Sequence, residues 1–245
     1  MDKKIVIIPT YNEKENIEKI IRCVFSLEDE FHILIIDDGS PDGTAAIVKK
    51  LIPEFENKLF IEERSGKLGL GTAYIHGFKW CLKHGYDFIF EMDADFSHNP
   101  NDLIRLYKAA IEQNADLVVG SRYCNGVNVV SWPMSRILMS YYGSMYVRTM
   151  LRIPVRDTTA GFVCYRRKVL ETINFERIKH IGYGFQIEMK YVTWKLGFKV
   201  IEIPIIFTDR TEGTSKMSKG IFKEAIFGVI KLRFRKIESY RNKKI

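Results

Sequence analysis

Residues 86–95 read Tyr-Asp-Phe-Ile-Phe-Glu-Met-Asp-Ala-Asp, YDFIFEMDAD. Its first eight residues, 86–93, rich in aromatic and β-branched side chains, have the composition of a buried strand carrying acidic groups at its tip. In extended chain successive side chains alternate, so Asp93 and Asp95 fall on one face. Three other short apolar runs precede this one and a fifth follows. KIVIIP (4–9) stops at Pro9, FHILIID (31–37) stops at the turn cluster Asp-Asp-Gly-Ser-Pro-Asp-Gly, LFIEE (59–63) is β-rich, and ADLVVGSR (115–122) ends at Arg122. Helical spacing fills the intervals. Ile17, Ile20, Ile21 and Val24 recur on one face, with Thr10 and Glu13 at capping-box spacing ahead of them. A second helix begins near Gly43, a third covers GTAYIHGFKWCLKHG (71–85), and Pro100 opens a fourth near its first position. Alternating strands and helices with near-continuous apolar strands predict an α/β fold. Its sheet is Rossmann-like and mostly parallel, with helices on both faces and right-handed crossovers.

The second half is less regular. Residues 133–151 mix apolar and basic positions on a helix, FVCYRR (162–167) is a short strand, and 183–197 is a helix. KVIEIPIIF (199–207) is a strand that Pro204 makes an edge or bent strand. The reading is one continuous domain over 1–217, followed by a basic amphipathic helix and tail over 218–245. In that tail Ile221, Phe222, Ala225, Ile226, Val229 and Ile230 make a stripe over 218–236. The net charge of +8 is concentrated there. Lys219, Lys223, Lys231, Arg233, Arg235 and Lys236 beside that stripe suit a helix lying on an anionic membrane surface.

Several classes are excluded. No apolar run approaches the roughly 18 residues of a membrane span. The opening MDKKIVIIPTYNE lacks the apolar region of a secretory leader, so the chain is expected in the cytoplasm, peripheral on the cytoplasmic face of a membrane. Cys23, Cys81, Cys124 and Cys164 are too scattered for a zinc site and read as reduced, mostly buried thiols. Gly66, Gly69 and Gly71 match neither nucleotide-loop pattern and read as a tight strand-to-helix turn. His76, His84 and His98 show no carboxylate partner in sequence, and no Ser-His-Asp or Cys-His set is present. A nucleic-acid module would not need acidic strand ends together with a set of arginines, so no nucleic acid is expected.

In open α/β sheets ligands bind beyond the carboxyl ends of the strands. Tyr11-Asn12-Glu13, Asp37-Asp38 and Asp93-Ala94-Asp95 follow three such ends. Converging carboxylates repel unless a cation joins them. Mg²⁺ or Mn²⁺ would take oxygens from Asp93 and Asp95 and leave its other positions to a diphosphate and water. Asp38 can accept from a ring N–H of guanine or uracil. Arg122, Arg136, Arg148, Arg152, Arg156, Arg210 and Lys216 supply positive charge of the kind that diphosphate departure needs.

The ordered set IIPTYNE, IIDDGSPDGT, KLGLGTAYIHG, MDADFSHNP, GSRY, DTTAGF, YGFQIEM and TDRTEGTSK resembles the dolichyl-phosphate (polyprenol monophosphate) mannose synthases of glycosyltransferase family 2, over residues 4–235. The resemblance implies a GT-A fold. It also implies inverting transfer of mannose from GDP-mannose to a polyprenyl phosphate, with GDP and polyprenyl phosphate mannose as products. A family 2 enzyme using another donor, such as UDP-glucose, with the same lipid is the alternative. By the same resemblance Pro9, Tyr11, Glu13, Ile36 and Asp38 hold the nucleoside. Asp93, Ala94 and Asp95 meet diphosphate and metal, with Asp95 a direct ligand, and Ser97 stands where some relatives have a metal-binding Gln. Arg122, Arg210 and Lys216 contact donor or acceptor phosphate, and Arg136 and Ser140 the acceptor phosphate. Val163 stands where an Arg is usual. The partners implied are GDP-mannose, a polyprenyl phosphate, the membrane surface and a small membrane-anchoring subunit. The nucleophile, a phosphate oxygen, is already ionised near neutrality because its second pKa is about 6, so no strong base is required.

Overall fold

The computed structural model describes residues 2–209 and 228–242. Strands β1 (Lys4–Thr10), β2 (His32–Asp37), β3 (Leu59–Glu63), β4 (Phe88–Glu91), β5 (Leu117–Ser121), β7 (Val163–Arg166) and β8 (Val200–Pro204) form one sheet in the order β3-β2-β1-β4-β7-β5-β8. Every neighbouring pair is parallel except those of β7, which runs antiparallel to both β4 and β5. The short strands β6 (Val129–Val130) and β9 (Phe207–Thr208) pair separately. The mostly parallel α/β sheet is therefore as expected, and β8 is an edge strand ending on Pro204.

The continuous apolar strands follow from burial on both faces. On one face Ile5, Ile7, Leu34 and Ile36 pack with α3 (Leu70–Lys83), α6 (Arg167–Thr172) and α7 (Tyr183–Lys195). On the other, Val6, Ile8, Ile33 and Ile35 pack with α1 (Ile17–Phe25), α2 (Thr44–Leu51) and α4 (Asp102–Glu112). At Gly77 a Cβ would sit 2.9 Å from the Ile7 side chain, so α3 lies directly on β1. Burying one such aliphatic side chain contributes about 1.5–3 kcal/mol.

Three local expectations are corrected. Strand β1 does not stop at Pro9 but continues to Thr10. The backbone of Ile7 faces β4, since its carbonyl accepts from Met92. Pro9, two residues on, faces the same way at a level where β4 has ended, so its missing N–H removes no ladder bond. Thr10 and Glu13 do not form a capping box. Thr10 Oγ1 donates to Asp37 at 2.8 Å, the Glu13 N–H donates to Thr44 Oγ1 at 3.1 Å, and α1 begins only at Ile17. Strand β4 is shorter than 86–93, which leaves Met92 to Asp95 as a loop beyond the sheet.

Helix α5 (Met134–Leu151) matches the expected helical stretch, but only Ser144, Val147 and Leu151 are buried. Of the expected C-terminal helix, 218–227 lies outside the described residues. Residues 228–233 are helical, with Val229 and Leu232 buried in the α3-side core and Lys231 exposed. Glu188, fully buried on α7, clamps this segment by accepting from Arg235 Nη1 at 2.8 Å and Tyr240 Oη at 2.7 Å. Among the described residues no helix is long and apolar enough to cross a membrane.

Candidate active site

Because β2, β1 and β4 are adjacent and parallel, their carboxyl ends come to one rim. Asp37 is spent on the turn, accepting from Thr10 Oγ1 and Ser40 Oγ on one oxygen and from the Ser40 N–H on the other. Asp38 is nearly buried and receives Arg64 Nε at 2.6 Å, while Arg64 Nη1 donates to Thr72 at 2.8 Å. A nucleobase N–H at Asp38 must therefore share the carboxylate with Arg64. Tyr11 lies under Lys67 Nζ, 5.1 Å from the ring centroid, and Glu13 holds Asn16 Nδ2 at 3.2 Å. Pro9 is half-buried, whereas Ile36 is fully buried in the core, so only its backbone can meet a ligand. The glycine turn is structural. A Cβ on Gly71 would lie 2.8 Å from the Phe185 ring and 2.9 Å from the His180 carbonyl, so this glycine admits α7 against α3.

Beyond β4 the chain enters a cavity of about 660 Å³ lined by Asp93, Asp95, Ser97, Arg122, Arg136 and Ser140 among others. Phe96 turns the chain in the left-handed region at φ 58°, unusual for an aromatic residue, and the Ser97 N–H then donates to Asp95 Oδ1 at 3.1 Å. Ser97 Oγ is buried with no hydrogen-bond partner among the described residues. A buried hydroxyl left unsatisfied beside two carboxylates is what a cation or its bound water would complete. Among the described residues no group of three His, Cys, Asp or Glu is placed to hold a metal ion. Ala94 is buried between the two aspartates. His98 is a core residue stacked on Phe162 at 4.8 Å, and burial pushes its imidazole down to about 4. As a neutral ring it accepts from the Asp93 N–H at 3.4 Å and steadies the acidic loop. Of the other histidines, His76 does have a carboxylate partner, Glu62 at 3.0 Å, contrary to expectation; both are on the surface, away from the cavity. His84 stacks on Trp80.

Arg122 is held rigidly. Its Nε and backbone N–H donate to Asp157 Oδ2 at 2.7 and 2.9 Å, and Nη2 donates to Asp157 Oδ1 at 2.6 Å and Thr159 at 2.9 Å. Burial alone would raise the Asp157 pKa, but the charge and hydrogen bonds of Arg122 outweigh it and hold this carboxyl below its usual range. Arg136 stacks over Trp132 at 4.0 Å and pairs with Asp209 at 2.9 Å, while Ser140 accepts from Tyr123 Oη at 2.7 Å. The helical spacing of Arg136 and Ser140 does put both in this cavity. Arg148, Arg152 and Arg156 are not brought there; all three are exposed, and Arg156 Nη1 donates to the Cys124 carbonyl at 3.0 Å. Arg210 and Lys216 lie outside the described residues. Val163 is buried in the sheet opposite Glu91, with no approach to the cavity.

Sequence reasoning missed the layer beneath. Gln186 lines the cavity, donates through Nε2 to Glu91, and accepts through Oε1 from Lys190 at 3.1 Å. Lys190 also donates to the Ala160 carbonyl at 2.6 Å, on the cavity wall. All three side chains are essentially buried. Burial pushes the Glu91 carboxyl up to about 8 and the Lys190 ammonium down to about 8. A helix reading of 183–197 puts Gln186 and Lys190 on one face, but nothing local joins them to Glu91.

These features place the chain in a class. A mostly parallel sheet of this order, with an acidic pair beyond its central strand and Arg122 and Arg136 lining the same cavity, has the architecture of GT-A glycosyltransferases. The chain belongs to glycosyl transferase family 2, whose pattern it matches over residues 5–173. It is 44% identical over 227 residues to the polyprenol monophosphomannose synthase of Mycolicibacterium smegmatis, covering 93% of this chain and 85% of that one. It is also 44% identical over 225 residues to the undecaprenyl-phosphate mannosyltransferase of Micrococcus luteus, covering 92% and 91%. The fold is similar to that of glucosyl-3-phosphoglycerate synthase from Mycobacterium tuberculosis in complex with Mn²⁺, UDP and glucosyl-3-phosphoglycerate. There the TM-score is 0.66 at 17% identity, over 94% of this chain and 78% of that one.

Proposed function

We propose that the protein transfers mannose from GDP-mannose to a polyprenyl phosphate with inversion, at the cytoplasmic surface of a membrane. The observation that carries this reading is one cavity lined by Asp93 and Asp95 together with Arg122, Arg136 and Ser140, with an otherwise largely apolar wall. The names of the two relatives support the same donor sugar and lipid class.

On this reading the nucleoside lies along the ends of β1 and β2, against Pro9, Tyr11, Glu13, the Ile36 backbone and the Asp38–Arg64 pair. Asp93 and Asp95 would hold a divalent ion, Mg²⁺ or Mn²⁺, with Ser97 Oγ completing its surroundings directly or through water. When bound, that ion neutralises the charge growing on the departing diphosphate. Arg122, fixed by Asp157, presents a preorganised cation to phosphate oxygens, and Arg210 and Lys216 are assigned further phosphate contacts by the family resemblance. Arg136 and Ser140 orient the acceptor phosphate, whose oxygen attacks the anomeric carbon opposite the leaving group. The bond to the diphosphate breaks as the new one forms. The nucleophile arrives ionised, so no proton need be removed, which fits a cavity where His98 is neutral and packed in the core. The basic C-terminal residues add electrostatic attraction to anionic lipid, alone or with a small anchoring subunit.

The experiment is a panel of labelled nucleotide-sugars, GDP-mannose and UDP-glucose included, offered with a polyprenyl phosphate. GDP-mannose should be the productive donor. Preference for UDP-glucose would move the protein to the other donor class.

A further inference from the structure

We infer that the outer face of the first three turns of α5 is the surface through which the protein docks on an anionic bilayer, and that the cavity opens along it. The inference rests on the lipid-acceptor reading above and adds the surface that meets the lipid. Helix α5 exposes Met134, Leu138, Met139, Tyr141, Tyr142 and Met145, with Met134 66% and Tyr142 55% exposed. For a helix attached to a folded domain this is inverted, since burial is expected on one stripe and polar residues on the other. The exposed positions 134, 138, 141, 142 and 145 recur at helical spacing and share one face, about 17 Å long at 1.5 Å per residue. The helix contains no Asp or Glu, while Arg136 and Arg148 lie on it and Arg152 follows its end. Arg136 is turned the other way, into the cavity and onto Asp209, but Arg148 lies beside the apolar face, and an apolar face with a cation beside it and no anion on the helix is complementary to an anionic headgroup layer over acyl chains.

A second observation links this face to the site. Leu138, Met139 and Tyr142 are exposed to the outside and also line the cavity that holds Asp93, Asp95 and Arg122. The apolar wall is thus continuous from the cavity to the exposed face. A phosphate on a long hydrocarbon chain can reach Arg136 and Ser140 while its chain stays on apolar side chains and passes into the bilayer. The described C-terminal residues offer a smaller surface, because Val229 and Leu232 are turned into the core and Phe234 is the one large apolar side chain exposed among residues 228–242.

The test uses the full chain and the double variant Met134→Glu/Met145→Glu. Both residues are on the outer face and neither lines the cavity. Cosedimentation is measured with vesicles of phosphatidylglycerol and phosphatidylcholine. Turnover is measured with a long polyprenyl phosphate embedded in those vesicles and with a short water-soluble prenyl phosphate. The expected result is a fall in partitioning of about tenfold or more, a matching loss with the embedded acceptor, and unchanged turnover with the soluble one. Unchanged partitioning overturns the inference. A variant that melts several degrees lower without vesicles overturns it too, because the face is then covered within the folded protein itself. A wild-type dimer that the substitutions convert to monomer shows that a second copy covers the face, and this likewise overturns the inference. If wild type transfers nothing to the soluble acceptor, the lipid-acceptor reading itself fails, whatever the vesicles show.

Discussion

Asp157→Asn isolates the rigidity of Arg122. The substitution keeps size and shape but removes the negative charge that receives three N–H groups of Arg122 at 2.6–2.9 Å. Asp157 is fully buried and the Arg122 side chain is 10% exposed, so the guanidinium is left as a nearly buried cation without its counter-charge. Removing one partner of such a pair costs roughly 3–5 kcal/mol. For a domain of this size about 2–4 °C is lost per kcal/mol, so the melting temperature should fall by roughly 6–20 °C. A shift of Arg122 by about 1 Å should also cost about a hundredfold in kcat/KM. The sign with pH follows from the depressed Asp157 pKa. The pair stabilises the fold above the unfolded carboxyl value of about 3.9, and that stabilisation is lost as pH falls through the lower folded value. The stability gap between wild type and variant should therefore be constant from pH 5 to 7 and close below about pH 4. The assay is chemical denaturation across that range with steady-state kinetics alongside. Glu202→Gln, which alters the acceptor of the Arg156 and Asp157 backbone N–H groups without touching the Arg122 side chain, serves as a control. A variant that melts within about 2 °C of wild type and keeps its kcat/KM would refute the claim that this pair positions a catalytic cation.

Arg136→Ala should raise the acceptor KM or lower turnover while GDP-mannose affinity, read by calorimetry, stays put; a donor-side loss with normal acceptor kinetics would reassign the residue. Glu91→Gln mimics the protonated carboxyl that burial favours up to about pH 8. Because the folded pKa lies above the unfolded one, wild type should lose stability relative to this variant as pH rises from about 4.5 to 8, and parallel urea curves at both ends would contradict it. Gly71→Ala places a methyl 2.8 Å from the Phe185 ring, an overpacking expected to cost about 1–3 kcal/mol by denaturant midpoint.

Much of the architecture is legible in sequence because its signals are local. Buried strands such as Ile5 to Ile8 and Ile33 to Ile36 announce themselves as unbroken apolar runs, and the strand-end rule then puts Tyr11, Asp38 and Asp95 beyond the carboxyl ends of three adjacent parallel strands. What was not legible is long-range. Strand β7 reads as a strand, but its antiparallel insertion between β4 and β5 depends on pairing across the chain. Arg122 is separated from Asp157 by 35 residues and Gln186 from Glu91 by 95, so neither partner is visible as a motif. Pro9 misled because its cost depends on which neighbour its backbone faces, and β4 stops before it does. The capping-box spacing of Thr10 and Glu13 misled because turn contacts to Asp37 and Thr44 claim those groups first.

The most direct measurement follows labelled mannose from GDP-mannose into polyprenyl phosphate mannose, with Mg²⁺ or Mn²⁺, in EDTA, and in Asp95→Ala with metal present. The account predicts transfer with inverted anomeric configuration by wild type plus metal, and none in EDTA or in the variant. Full transfer in EDTA, or by Asp95→Ala, would contradict a metal-held diphosphate at the end of β4.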